Sequence, residues 1–348
     1  MPIIYDEKQQ VFHLQTPKTS YIMHVWRGKD LAHVYWGKRI NTPDMENALI
    51  SRVTGFSPVT DKEDYTLDFL CQEYPTGCGS DYRVPAISVL YEDGSRNARL
   101  IYDSHRIYKG KPKLQGLPAT YVEKEEEADT LDIVLKDTLK GLKVVLSYTA
   151  YNEIDAITRS VKVMNEGSET IILEKVLSAS VDFETSDFDF LDFHGGWGKE
   201  RFLERTPVHH GVQSIDSKRG SSSHQLNPFF VLASKECNED YGQAYGFNFV
   251  YSGNFVAGAE VDQVDKLRAF MGINAYDFSW KMESGEEFQA PEVVMVYSGE
   301  GFGEMSRSLH KLYRKRLVRG KYRDEARPIL VNNWEGTYFD FTEEKILG

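Results

Sequence analysis

An all-β fold that gives way to a single helix near its carboxyl end is the class this sequence predicts. Up to about residue 298, short runs of β-branched and aromatic residues recur, broken roughly every eight to twelve residues by Gly, Asn, Asp or Pro, which is the spacing of a sandwich or barrel. Inside those runs the side chains alternate with period two, as they must on a strand with one covered face. Only beyond residue 302 does a helical period appear.

The elements follow in order. In Leu142–Tyr151, the residues Leu142, Val144, Leu146 and Tyr148 share one parity while Lys143, Ser147 and Thr149 share the other, so a half-buried strand is expected. Asn165, Glu166, Gly167 and Ser168 then offer a turn between a strand ending at Met164 and a run from Ile171 to Val181, with Gly167 placed to accept a positive φ. Residues 244–252 and 292–298 read as further strands. From residue 303 the pattern changes: Met305, Leu309, Leu312, Tyr313, Arg316 and Leu317 recur at helical spacing, with Arg307, Lys311, Arg314 and Lys315 on other faces, and Gly320 lies beyond the end. After Pro328, the continuous apolar run Ile329, Leu330 and Val331 predicts a strand buried on both faces. Thr342 followed by Glu343 and Glu344 predicts a helix start, because the hydroxyl caps a free amide and the dipole favours anions. A buried strand followed by a nascent helix is half of a βα unit. A parallel strand cannot pair its amides without neighbours, and the sequence is therefore expected to be incomplete.

Bulk properties exclude several functions. The 348 residues are 41% hydrophobic and 27% charged, without an apolar run near the ~20 residues a membrane span needs. The net charge of -12 argues against duplex nucleic acid as a partner, since phosphate binding needs a cationic face. The amino terminus lacks the basic and apolar segments of an export signal. Cys71, Cys78 and Cys237 make an odd number without CxxC spacing, so a cytoplasmic location is expected.

Residues 327–341, RPILVNNWEGTYFDF, resemble the entry to the (β/α)8 catalytic barrel of the α-galactosidases of glycoside hydrolase family 36, the melibiase and raffinase group. LAHVYWGKRI from Leu31, LDFLCQEYPTGCGSDYRVPA from Leu67, HRIYKGKPKLQGLPATYVE from His105, RGSSSHQLNPF from Arg219, YGFNFVYSGNF from Tyr245 and PEVVMVYS from Pro291 are similar to the same family's amino-terminal sandwich. The resemblance implies a large β-supersandwich, galactose-mutarotase-like, over residues 1–302, a linking helix over 303–326, and the truncated start of a (β/α)8 barrel over 327–348. It implies a retaining hydrolase that removes terminal α-linked galactose from α-galactoside oligosaccharides with two aspartates about 5 to 5.5 Å apart, one attacking and one protonating. In the family both lie on later barrel strands, so no catalytic residue, cofactor or metal is expected within this chain. Homotetramers are common among the enzymes it resembles.

Trp334 matches the family's tryptophan at the end of the first barrel strand, where such enzymes place their chemistry, and is the expected substrate-binding residue; the competing reading is a side chain that fills the barrel rim. Alternation lets only one of Asn332 and Asn333 share its face. The segment SRVTGFSP from Ser51 resembles a loop that reaches over a neighbouring subunit's site, but Val53 stands where an acid is expected, and no sugar contact is assigned to it. Asp81 and Arg83 are candidates for a substrate entrance or, more commonly for such pairs, an internal salt bridge that supports a subunit contact. Trp197, in a run of glycines, suits a sugar platform or packing at a sandwich corner. The acid-rich run over 181–193 is read as a solvated face rather than a calcium loop, which needs oxygens converging from a tight turn. His209 and His210 are adjacent and, on a strand, diverge. His224 is read as an organiser of its loop. The alternative for the whole chain is a non-catalytic carbohydrate-binding or oligomer-assembly sandwich.

Overall fold

The computed structural model describes residues 2–41, 48–50, 52–55 and 65–348. Ser51 and residues 56–58 of the SRVTGFSP segment lie outside the described residues, and Val53 is exposed. The described residues form three antiparallel sheets. The first is β1 (Ile3–Asp6), β2 (Val11–Gln15), β3 (Thr19–Trp26) and β4 (Asp30–Lys38), paired in that order. The second contains β5 (Ile87–Tyr91), β10 (Ile171–Phe183), β13 (Gly211–Asp216), β16 (Phe255–Val261), β17 (Leu267–Ile273) and β18 (Trp280–Met282). Its order is β13-β16-β17-β10-β18, with β5 also on β10. The third contains β6 (Ile101–Lys109), β7 (Ala128–Lys136), β8 (Leu142–Tyr151), β9 (Ile157–Asn165), β11 (Asp189–Gly196), β12 (Lys199–Pro207), β14 (Leu226–Ala233), β15 (Ala244–Val250), β19 (Glu287–Gln289) and β20 (Glu292–Ser298). Its order is β12-β11-β14-β15-β20-β9-β8-β7-β6, with β19 beside β9.

One apolar core joins all three sheets. Phe12, Tyr21 and Trp36 from the first meet Val89, Leu177 and Phe270 from the second, and Leu146, Phe247 and Met295 from the third. The parity read in β8 is realised: Leu142, Val144, Leu146 and Tyr148 are all buried, because the alternation aims every second side chain at the facing sheet. Strand β20 runs over the expected residues. The turn after β9 also forms, but for a different reason. Gly167 does not have a positive φ; a Cβ there would sit 2.4 Å from the Lys140 carbonyl oxygen, so the glycine is required by close approach of two turns.

Helix α1 (Gly301–Arg316) covers the outer face of the large sheet. Met305, Leu309 and Leu312 are buried against Ala244, Val294 and Val296. Each such side chain contributes about 1.5–3 kcal/mol on burial. Gly246 lets the helix approach, since a Cβ there would lie 2.8 Å from the Met305 sulfur. Beyond α1, Thr342 accepts from the Lys345 amide at 3.3 Å and caps α3 (Glu343–Leu347), as expected. The expected strand at 329–331 is absent. Those residues pair with no strand, and Ile329, Leu330 and Val331 are 97%, 83% and 72% exposed. A parallel strand needs flanking strands, and the described residues supply none there.

Candidate functional site

Trp334 opens the four-residue helix α2 (Trp334–Thr337) instead of ending a strand. The Asn332 side chain accepts from its backbone amide at 3.0 Å, and Asn333 bonds the Thr337 hydroxyl at 2.6 Å, so the two asparagines shape the turn. The indole meets Tyr338 and Phe339 edge-on, with ring centroids 5.4 and 4.8 Å away, and remains 44% exposed. An accessible aromatic face flanked by amides is the surface chemistry a pyranose requires. Among the described residues no carboxylate is hydrogen-bonded to Trp334, and Asp340 of the same segment holds Lys345 at 2.8 Å.

Asp81 and Arg83 lie in a buried ion network rather than at an opening. Arg83 Nε donates to Asp81 at 2.8 Å; Arg268 donates to the other Asp81 oxygen at 2.8 Å and to Asp182 at 2.7 and 2.8 Å. Asp182, at the end of β10, also accepts from the Gln72 amide at 2.9 Å. Burial pushes its carboxyl up, but Arg268 and Arg83 outweigh that and hold it below the usual carboxylate range. This corrects the reading of residues 181–193 as a solvated acidic face. Asp182, Asp189 and Asp192 are buried, and Asp189 is paired with Arg205 at 2.7 Å and Lys235 at 2.8 Å; only Glu184 and Asp187 face outward.

A second buried cluster surrounds Glu73. Glu73 is fully buried and accepts from Tyr21 at 2.5 Å, Tyr148 at 2.6 Å and Arg159 at 2.8 Å through one oxygen, while its other oxygen faces His33 Nδ1 at 3.1 Å. Arg159, also fully buried, donates to the Glu73 carbonyl and the Ser180 carbonyl at 2.7 Å each. Burial raises the Glu73 carboxyl, and Arg159, His33 and Tyr148 more than offset it, so it stays ionised. One signal in the sequence points here: Arg159 shares the inward parity of Ile157, Val161 and Val163.

Trp197 sits at the tip of the β11–β12 hairpin and is 88% exposed, with Gly195 required because a Cβ would strike the Lys199 carbonyl. His209 and His210 bind backbone carbonyls, His210 that of Asp262 at 3.2 Å. A cavity of about 510 Å³ between α1 and strands β11, β12, β14 and β15 is lined mainly by apolar side chains, among them Phe193, Phe229, Phe302 and Tyr313. None of these features brings two accessible carboxylates together.

Comparison with known proteins settles the kinship. The model of the glycosyl hydrolase family 36 N-terminal domain matches residues 29–283, and the melibiase model matches residues 287–348. The chain belongs to glycosyl hydrolase family 36. Alpha-galactosidase AgaA of Geobacillus stearothermophilus is 52% identical over 349 residues, covering 100% of this chain and 48% of the relative. Alpha-galactosidase 1 of Pediococcus pentosaceus is 43% identical over 347 residues, covering 99% and 47%. Among solved structures, the family 36 α-galactosidase AgaB from G. stearothermophilus superimposes with a TM-score of 0.94 at 50% identity, over 100% of this chain and 48% of that one. G. stearothermophilus AgaA variants solved with raffinose and with stachyose give a TM-score of 0.94 at 53% identity, over 97% and 47%. The chain thus spans about half the length of the family 36 relatives it matches, and the mainly β architecture expected of such a domain is the one found.

Proposed function

We propose that this chain is the amino-terminal part of an α-galactosidase that removes terminal α-linked galactose, with retention, from melibiose, raffinose and related galactosides. In this reading residues 1–302 are the supporting supersandwich, 303–326 the linking helix and 327–348 the start of the catalytic barrel. Trp334 is the wall of the galactose subsite. The parent protein is a cytoplasmic homotetramer, and this chain alone hydrolyses nothing. The observation that carries the reading is the pairing of whole-chain similarity to α-galactosidases with a tail whose apolar residues 329–331 are bare. Such a triplet is stable only when covered. No helix among the described residues is long and apolar enough to cross a membrane.

The test compares two proteins on p-nitrophenyl α-galactoside: the 348-residue chain and the same chain extended by its downstream reading frame. The extended protein is expected to turn over, the shorter one to match buffer, and Trp334→Ala in the extended protein to lower kcat/KM by a factor equivalent to about 0.5–1.5 kcal/mol of transition-state binding, the range of a lost aromatic contact. Turnover by the 348-residue chain, or an extended protein inert on every α-galactoside, overturns the reading. The second reading, a non-catalytic carbohydrate-binding or assembly module, is favoured by the bare Trp197 at its hairpin tip. It requires saturable oligosaccharide binding by the chain that Trp197→Ala abolishes. Asp81 and Arg83 stay in this account as a brace beneath any entrance or subunit contact.

A further inference from the structure

The path from the sandwich into the tail is gripped at one place. Residues 119–127 form a strap between β6 and β7 that is anchored from below by Glu292 of β20. Glu292 is buried, accepts from the Thr120 amide at 2.8 Å and its hydroxyl at 2.7 Å, and pairs with the buried Lys111. From above, the strap holds the end of α1 and the residues after it. Glu127 receives both ends of the Arg316 guanidinium, at 2.7 and 2.8 Å. Glu123 pairs with Arg323, which also donates to the Tyr121 hydroxyl at 3.0 Å. The backbone joins in: the Tyr121 amide donates to the Arg316 carbonyl at 2.9 Å, and the Tyr121 hydroxyl to the Val318 carbonyl at 3.0 Å. Arg319 lies 4.2 Å over the Tyr121 ring and donates to the Ala119 carbonyl at 2.9 Å. Past Glu325, which pairs with Lys321 at 3.8 Å, the side-chain contacts among the described residues stay within the tail itself.

We propose that this strap is a positioning clamp: Glu127 on Arg316 and Glu123 on Arg323 fix the direction in which the chain leaves the sandwich, and so fix where Trp334 stands. The inference deepens the α-galactosidase reading and rests on it for its catalytic consequence. Exposed single ion pairs do little, but a bidentate arginine–carboxylate pair has one geometry, and here it is coupled to backbone bonds at Tyr121 and Val318. The clamp therefore transmits orientation rather than bulk stability. Tyr121 and the three arginines come from segments about 200 residues apart in sequence, so their meeting is a product of the fold.

Two measurements test it. In the 348-residue chain, Glu123→Gln with Glu127→Gln is expected to speed amide exchange at Tyr121 and Val318 by about tenfold or more while β8 amides stay unchanged, since only the local opening is made easier. Exchanging the charges, Glu127→Arg with Arg316→Glu, restores protection. Unchanged exchange in the double glutamine variant, or no recovery in the exchanged pair, overturns the clamp. In the extended protein the double glutamine variant is expected to lower kcat/KM on p-nitrophenyl α-galactoside by about tenfold, the effect of a misplaced subsite, and 1 M NaCl is expected to depress the parent more than the variant. Faster exchange with unaltered kcat/KM overturns the positioning role. Should the extended parent hydrolyse no α-galactoside, the functional reading fails alone, and the exchange result still decides whether the clamp exists.

Discussion

Glu73→Gln tests a fully buried carboxylate that is shared by four side chains. The glutamine keeps the shape of the side chain but has one oxygen where the carboxylate had two. That oxygen can serve either the trio of Tyr21, Tyr148 and Arg159 or His33. Whichever way the amide turns, Arg159 keeps its charge, fully buried, and loses its counter-ion. Removing one partner of a buried pair costs about 3–5 kcal/mol, against a whole-domain stability of about 5–15 kcal/mol. At about 2 °C per kcal/mol for a body of this size, the melting temperature falls by about 6–10 °C. Urea unfolding at pH 7 with a parallel thermal scan reads both figures. The double variant Glu73→Leu with Arg159→Met removes both charges and should be less destabilised than the sum of its two single changes by more than about 1.5 kcal/mol, even though Tyr21 and Tyr148 lose their acceptor. A loss below about 1 kcal/mol for Glu73→Gln would refute the claim that the pair is uncompensated without its carboxylate.

Two further outcomes follow from groups elsewhere. His13 bonds Ser20 at 2.8 Å, and burial, with Arg39 nearby, pushes its imidazole down from 6.5 to about 4. The folded state therefore prefers the neutral ring: its contribution is complete above pH 6.5 and is lost as pH falls from 6.5 towards 4. His13→Gln should show a shallower loss of urea midpoint over that window than the parent, and parallel curves would exclude the effect. Brief trypsin treatment of the chain should cut within residues 323–348 first and leave a sandwich of unchanged melting temperature, because the apolar tail residues are bare; a tail that survives as long as the strands would mean that the sandwich covers it.

The legible parts of this fold are those in which neighbours in sequence are also neighbours on a face. The extent of β8 follows from alternation, and α1 follows from the spacing of Met305, Leu309 and Leu312, since each pattern is a local consequence of one covered side. The acid-rich run is illegible for the converse reason. Asp182 is buried because Arg268 reaches it from a strand 86 residues away, and nothing within residues 181–193 announces that partner. Glu73 and Arg159 are likewise 86 residues apart. Residues 329–331 carry the apolar run of a two-sided strand, yet the ladder such a strand calls for needs neighbours that the described residues do not contain.

The buried charges also brace an irregular part of the sandwich. Residues 65–75 cross the interior with almost no ladder pairing, and an interior backbone must find partners for its amides and carbonyls. Side chains supply them. Arg159 takes the Glu73 carbonyl, Arg83 takes the carbonyls of Leu67 and Leu70 at 3.0 Å each, Lys266 takes that of Phe69 at 2.7 Å, and Asp182 takes the Gln72 amide. The adjacent residues Gln72 and Glu73 therefore join the two ion networks into one frame. In such a frame each carboxylate is already bonded by two or more donors and sealed from solvent, the opposite of what a glycosidase needs, which is one acid and one base open to the same sugar bond. The same bonds that let Glu73 and Asp182 remain ionised out of reach of water make them able to hold an irregular segment in one conformation.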